Sequence, residues 1–212
     1  MKFQEGYVYH INDDYFSKVQ DGKLMQNKEN GTYRPTFLCI EDRKNAGLLW
    51  VVPMSTRVEK FQAIHDKQQA RYGKCLTIVM GEFDGRAAAF LLQNMFPITE
   101  KYLDHVHTRN GNPVPVKHSI SQEVRSNMQQ LRQLIYRGKN VVFPDIKRLE
   151  QIMLAEIQLE KKTELVEKPP ATDKPIRLSM KDRFAAAQVE ANRRAAEQTT
   201  NSSQKNKDDP ER

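Results

Sequence analysis

Leu48-Leu49-Trp50-Val51-Val52-Pro53-Met54-Ser55-Thr56-Arg57, with Lys60 just beyond, is the stretch on which the fold turns. A short apolar run rich in β-branched and aromatic residues fits a fully buried strand better than a helix. Proline cannot donate to a ladder, so the pairing is predicted to end at Pro53. Two hydroxyls and a guanidinium then follow, delivered from the end of a rigid element.

Working outward, residues 35–41 (PTFLCIE) read as a second strand, joined to the first by the polar loop 42–47. Two apolar runs connected in this way predict an antiparallel hairpin. Gly6–Ile11 alternates and gives a further strand. Asn12 or Asp13 then caps a short helix that turns Tyr15, Phe16 and Val19 to the core. Residues 20–34 are polar with two Gly turn signals and read as an exposed loop. Past Thr56, Phe61, Ile64 and His65 have helical spacing in a charged stretch, which predicts a short helix or a structured loop. Residues 74–80 and 86–92 give two more strands across a Gly81–Gly85 turn, and 104–117 reads as loop. Ser119 or Ser121 caps a helix to about Arg137 with Val124, Met128, Leu131, Leu134 and Ile135 on one stripe, and Gly138 fits its C′ position. A second helix begins near Pro144-Asp145.

These elements predict an α+β fold: a compact, strongly curved antiparallel sheet or half-open small barrel, one early helix and two packed C-terminal helices. That domain spans 1–162. Residues 163–212 form a charged linker and tail, with a Pro-rich segment at 168–175, a possible isolated helix at 179–197 and a disordered end.

Of the 212 residues, 38% are hydrophobic, and the mean hydropathy is −0.74. No run approaches the ~20 apolar residues of a membrane span, and no apolar h-region follows the first residues, so a cytoplasmic protein is expected. Cys39 and Cys75 sit inside apolar runs, as buried free thiols of a reducing compartment would. The formal net charge of +7 points either to a polyanionic partner or to a solubilising surface.

The HExxH, CxxC, Walker A, GxGxxG and GxSxG patterns do not occur, which removes most common enzyme classes. His105 and His107, two apart with Asp104 adjacent, share a face if they lie on a strand. No Cys or carboxylate cluster joins them, so they read as a surface pair and no metal or cofactor is expected. What remains is a set of Tyr, Ser, Thr, Arg, Lys and His side chains in a basic chain. Metal-free RNA cleavage needs a proton acceptor for the 2′-OH, a donor for the leaving 5′-oxygen, and cations or hydroxyls for the charge on phosphate. Ser55, Thr56, Arg57 and Lys60 supply donors and charge from one strand end, although hydroxyls after a strand also cap the next helix. His65, Lys117 and His118 are further candidates for phosphate contact, His118 lying near a helix N-terminus.

Four segments, in order, resemble the ToxN/AbiQ family of endoribonuclease toxins of type III toxin–antitoxin systems. Tyr9-His10-Ile11-Asn12-Asp13-Asp14-Tyr15 resembles the family's first strand and its tyrosine-bearing helix. Tyr33-Arg34-Pro35 resembles its aromatic-then-proline entry to the second strand, and Pro53-Met54-Ser55-Thr56 its turn bearing the catalytic hydroxyl. Gln93–Ile98 with the Gln129–Gly138 helix end resembles the later strand and C-terminal helices, so the likeness covers about residues 3–160. It places Thr56 at the catalytic hydroxyl, with Ser55 beside it, although the family has Ser where Thr56 stands. Val58 stands where a lysine is common, which leaves Arg57 or Lys60 to supply the cation, and Thr36 replaces a basic residue that Arg34 precedes. Tyr15 and Tyr33 match aromatic positions, which implies contacts to unstacked RNA bases.

The resemblance implies a small barrel shared with MazF-like toxins. It also implies a metal-independent, sequence-selective endoribonuclease that cuts mRNA to leave a 2′,3′-cyclic phosphate. A small repeated RNA antitoxin would inhibit it within a protein–RNA assembly of the kind used in phage defence, with no membrane partner. A MazF-like RNase held by a protein antitoxin and a non-catalytic RNA-binding protein are the other readings open.

Overall fold

The computed structural model describes residues 3–29, 31–167, 188 and 190. The chain opens with β1 (Val8–Ile11), α1 (Asp13–Val19), a small hairpin of β2 (Lys28–Glu29) and β3 (Thr32–Tyr33), then β4 (Thr36–Glu41) and β5 (Leu49–Ser55). It continues through α2 (Val58–Tyr72), β6 (Val79–Phe83), β7 (Arg86–Phe90) and β8 (Phe96–Ile98). β9 (Leu103–Val106) is followed by a second small hairpin of β10 (Thr108–Arg109) and β11 (Asn112–Pro113), then α3 (His118–Tyr136) and α4 (Ile146–Glu167). The main sheet is antiparallel, in the order β6-β7-β5-β4-β1-β9, and β8 also pairs with β5. This is the α+β architecture expected, with α2 as a full helix after Thr56.

Every residue of β5 is buried, which is why its sequence reads as one continuous apolar run. Trp50, Val52 and Met54 pack with Phe37 and Phe90 against Val124, Met128 and Leu131 of α3. Leu49 and Val51 face the other way, where Tyr15 and Val19 of α1 and Leu149, Met153 and Ile157 of α4 cover them. A smaller cluster joins Phe61 of α2 to Ile78, Ala89 and Leu91. Each such large side chain contributes roughly 1.5–3 kcal/mol over its exposed state.

Irregularities in β4 near Cys39 and in the β1–β9 pairing bend the sheet. Its two ends, β6 and β9, are thereby brought together. No ladder joins them among the described residues, but side chains do. His107 Nε2 lies 3.2 Å from Asp84 Oδ2, Arg109 Nε lies 2.7 Å from Asp84 Oδ1, and the Phe83 and His107 rings are 5.0 Å apart.

Four local expectations are corrected. β5 does not stop at Pro53 but runs on to Ser55. Met54 N–H bonds to Pro35 O on the β4 side, so the missing Pro53 N–H faces the opposite side, between the end of β7 and the start of β8. The strand expected at 74–80 is β6, which begins at Val79, not Lys74, and its turn is the two-residue Asp84-Gly85, both with positive φ (51° and 75°). Gly81 lies within the strand, and Ile120 of α3 comes within 2.7 Å of where its Cβ would be. Residues 20–34 and 104–117 are not plain loops, since each contains a small hairpin. Asn27 fixes the first by donating to Ile11 O at 2.7 Å.

Contacts divide the chain into a unit over residues 1–165 and another over 166–212. The linker, the terminal stretch and the expected helix at 179–197 lie outside the described residues, except Gln188 and Glu190, which are helical. No helix among the described residues is long and apolar enough to cross a membrane.

Candidate active site

At the end of β5 the structure has a cleft of about 640 Å³. Three segments distant in sequence meet there. Thr32-Tyr33-Arg34 enters from the β3–β4 connection, Ser55-Thr56-Arg57 from the end of β5, and Asp84 with Arg86 from the β6–β7 hairpin. His10 of β1 and His107, just past β9, complete the wall, while Ala87 and Ala88 keep it open with small side chains.

The geometry separates the two neighbouring hydroxyls. Ser55 is 4% exposed, and its Oγ accepts the Arg57 N–H at 3.2 Å. That bond closes the turn into α2, so the Ser55 hydroxyl is already engaged. Thr56 follows on the exposed side, and its hydroxyl makes no hydrogen bond among the described residues. Arg57 is the N-cap residue of α2, with no side-chain cap. Arg34 reaches across the end of β5, donating from Nη1 to Met54 O and from Nε to Gln26 O, both at 3.1 Å. Tyr33 is half-buried. Its hydroxyl lies 3.3 Å from Asp13 Oδ2, and the Lys28 ammonium sits 4.3 Å from its ring centre. Among the described residues, the cleft lining holds the guanidiniums of Arg34, Arg57 and Arg86 and the Asp84 carboxylate, which Arg109 and His107 engage.

The other residues named from sequence lie elsewhere. Tyr15 is a correction: its side chain is fully buried, its hydroxyl donates to Pro97 O at 2.9 Å, and its ring stacks 5.0 Å from Phe96. Burial also raises its pKa well above the ordinary value. No base reaches it without opening the core. Lys60 is exposed on the first turn of α2, His65 farther along α2 pairs with Asp66 at 3.0 Å, and neither lines the cleft. Lys117 pairs with Glu82 at 2.8 Å, and His118 is the exposed first residue of α3. These two also lie outside the cleft lining.

Two residues of the cleft, His10 and Arg86, are not among those to which the sequence points. His10 stacks on His105 at 4.5 Å, lies 6.2 Å from His107, and meets the Tyr33 ring edge-on at 6.2 Å. Burial lowers the His10 pKa, and His105 and His107 lower it further against the opposing pull of Asp104. The His105–His107 pair expected as surface loop thus supplies two members of a three-imidazole row that His10 of β1 completes. No group of three His, Cys, Asp or Glu side chains among the described residues is arranged to hold a metal ion.

No protein-family model matches the sequence, and no curated protein matches it. Among solved structures, the chain is similar to one described as "A processed non-coding RNA regulates a bacterial antiviral system", with a TM-score of 0.52 and 15% identity. The match covers 68% of this chain and 95% of the other. At that identity the likeness is one of fold.

Proposed function

We propose that this chain is a metal-independent endoribonuclease toxin that cuts RNA by attack of a ribose 2′-OH on the adjacent phosphate and is restrained by a small repeated RNA. The observation that carries this is the convergence of Tyr33-Arg34 with Ser55-Thr56-Arg57 on one basic cleft. Guanidiniums neutralise the phosphate and the charge that grows on it in the transition state. The Thr56 hydroxyl donates to a non-bridging oxygen, while Ser55 holds the turn that presents it. Tyr33 offers a ring face or hydroxyl to a base, which requires the RNA to be single-stranded there. The net charge of +7 draws in such a polyanion, and the fold likeness to a structure described by a regulatory non-coding RNA agrees with an RNA partner.

The test is incubation of the purified protein with RNA in EDTA and analysis of the new ends. Products ending in 2′,3′-cyclic phosphate, lost in Thr56→Ala, are expected. A strict need for added Mg²⁺ overturns the metal-free mechanism. RNA binding that Arg34→Glu abolishes, with no cleavage by the wild type, would instead make the protein a non-catalytic RNA binder. Short tandem repeats in the DNA upstream fit an RNA antitoxin, and a coding gene there fits a protein one.

A further inference from the structure

The hydroxyls and guanidiniums of the cleft stabilise charge, but none of them takes a proton readily near neutral pH. Histidine is the side chain suited to that. Among the described residues, two imidazoles far apart in sequence line the cleft, His10 on β1 and His107 just past β9. The His10 Nδ1 is buried without a hydrogen-bond partner, which leaves Nε2 as its reactive nitrogen. In His107 the situation is reversed. Its Nε2 lies 3.2 Å from Asp84 Oδ2, and a carboxylate only accepts, so Nε2 carries a proton and Nδ1 is the nitrogen available for exchange. The groups facing His10 are His105, His107, Asp104 and Tyr33; those facing His107 are Asp84, Phe83 and His10.

We propose that His10 and His107 are the proton-transfer pair of this cleft, His10 as the base and His107 as the acid; the assignment rests on the ribonuclease function above. Neutral His10 takes the 2′-OH proton on Nε2 as the O2′–P bond forms. The P–O5′ bond breaks, and O5′ leaves with the proton from Nδ1 of the His107 imidazolium. His10 ends charged and His107 neutral, and exchange with water resets both. Burial and the flanking imidazoles already favour neutral His10. The ring centroids are 6.2 Å apart, which lets one phosphate present its attacking and leaving oxygens to different rings within hydrogen-bond reach. Asp84 acts as a positioning residue, fixing the His107 tautomer from the opposite end of the curled sheet.

The experiment uses single-turnover cleavage by His10→Asn, His10→Gln, His107→Asn and His107→Gln, so that a folding defect in one member of a pair leaves the other readable. Each is assayed on ordinary RNA and on the same RNA with sulfur replacing the bridging 5′-oxygen at the mapped cleavage site. A thiolate leaves without being protonated, so it needs no acid. Each variant is expected to slow ordinary cleavage by about 10²–10⁴-fold. The sulfur substrate should restore the His107 variants to near the wild-type rate and leave the His10 variants slow. Unchanged ordinary rates, or equal rescue of both pairs, overturn the assignment. If Thr56→Ala slows cleavage and the histidine variants do not, the ribonuclease function stands and the pair falls. Absence of RNA cleavage by the wild type overturns both.

Discussion

Replacing Thr56 by alanine separates two adjacent hydroxyls that the sequence leaves interchangeable. Ser55 is the last residue of β5, paired with Ala89 of β7, and its Oγ accepts the Arg57 amide at 3.2 Å. Ser55→Ala removes one internal hydrogen bond from a buried position, at a cost of about 0.5–1.5 kcal/mol. For a domain of this size, that corresponds to a fall in Tm of roughly 2–4 °C per kcal/mol. Thr56 is exposed, so Thr56→Ala changes stability by no more than about 0.5 kcal/mol. Its effect on the reaction is larger. A donor aimed at transition-state charge contributes about 2.7–4 kcal/mol, which is about 10²–10³-fold in kcat. The two variants should therefore dissociate, Ser55→Ala in a urea melt and Thr56→Ala in single-turnover cleavage. Thr56→Ser keeps the hydroxyl and should stay within a few-fold of wild type. A larger rate loss in Ser55→Ala than in Thr56→Ala, with unchanged melting, would refute the assignment and move the reacting hydroxyl into the strand.

Tyr15→Phe removes the hydroxyl that donates to Pro97 O from a fully buried position, and should cost about 1–3 kcal/mol while leaving RNA cleavage intact. Lost cleavage at unchanged stability would return Tyr15 to the site. The Asp42 carboxylate, 4% exposed, accepts from the Lys44 and Asn45 amides, the Trp50 indole and Arg132. Burial pushes its pKa up, but the Lys44 amide and Arg132 outweigh this and hold it below the ordinary 3.8. A depressed folded-state pKa gives stability that is present above 3.8 and lost as pH falls through the folded value. Asp42→Asn should accordingly cost about 3 kcal/mol at neutral pH, with the gap to wild type closing in acid melts; a gap independent of pH counts against it. Burial raises the Cys39 thiol to about 12, so iodoacetamide at pH 8 should label it only as the protein unfolds, and prompt labelling of the native state would contradict its burial.

What could be read from sequence follows from how local each cause is. β5 announces itself because both of its faces are covered, and the α3 stripe because its partner sheet is continuous. Tyr15 was also legible, since it stands one helical turn before buried Val19, but a family likeness placed it at the site instead. The small hairpins escape because each strand is two residues long and polar. Such strands exist only through tertiary contacts such as Asn27 on Ile11 O. His10 and Arg86 escape for a related reason. A half-buried strand histidine and an arginine after an Asp-Gly turn are ordinary until the curl of the sheet sets them around one space.

That curl and Pro53 are connected. β5 pairs with β8 through Val51 and with β7 from Met54, so its neighbour changes across Val52 and Pro53. Between the two ladders the chain makes the turn Leu92–Asn94, and the Pro53 carbonyl takes the Leu91 amide at 2.9 Å. A residue without an N–H is best tolerated on that side, where no strand continues to accept from it. The change of partner lets β7 and β6 swing away from the plane of β8 and carry the Asp84-Gly85 turn to His107. An unbroken ladder along β5 would have kept the sheet flatter and the two edges apart. Pro53 therefore does not end the strand but marks where the sheet divides, and the hydroxyls that follow it face the space the division opens.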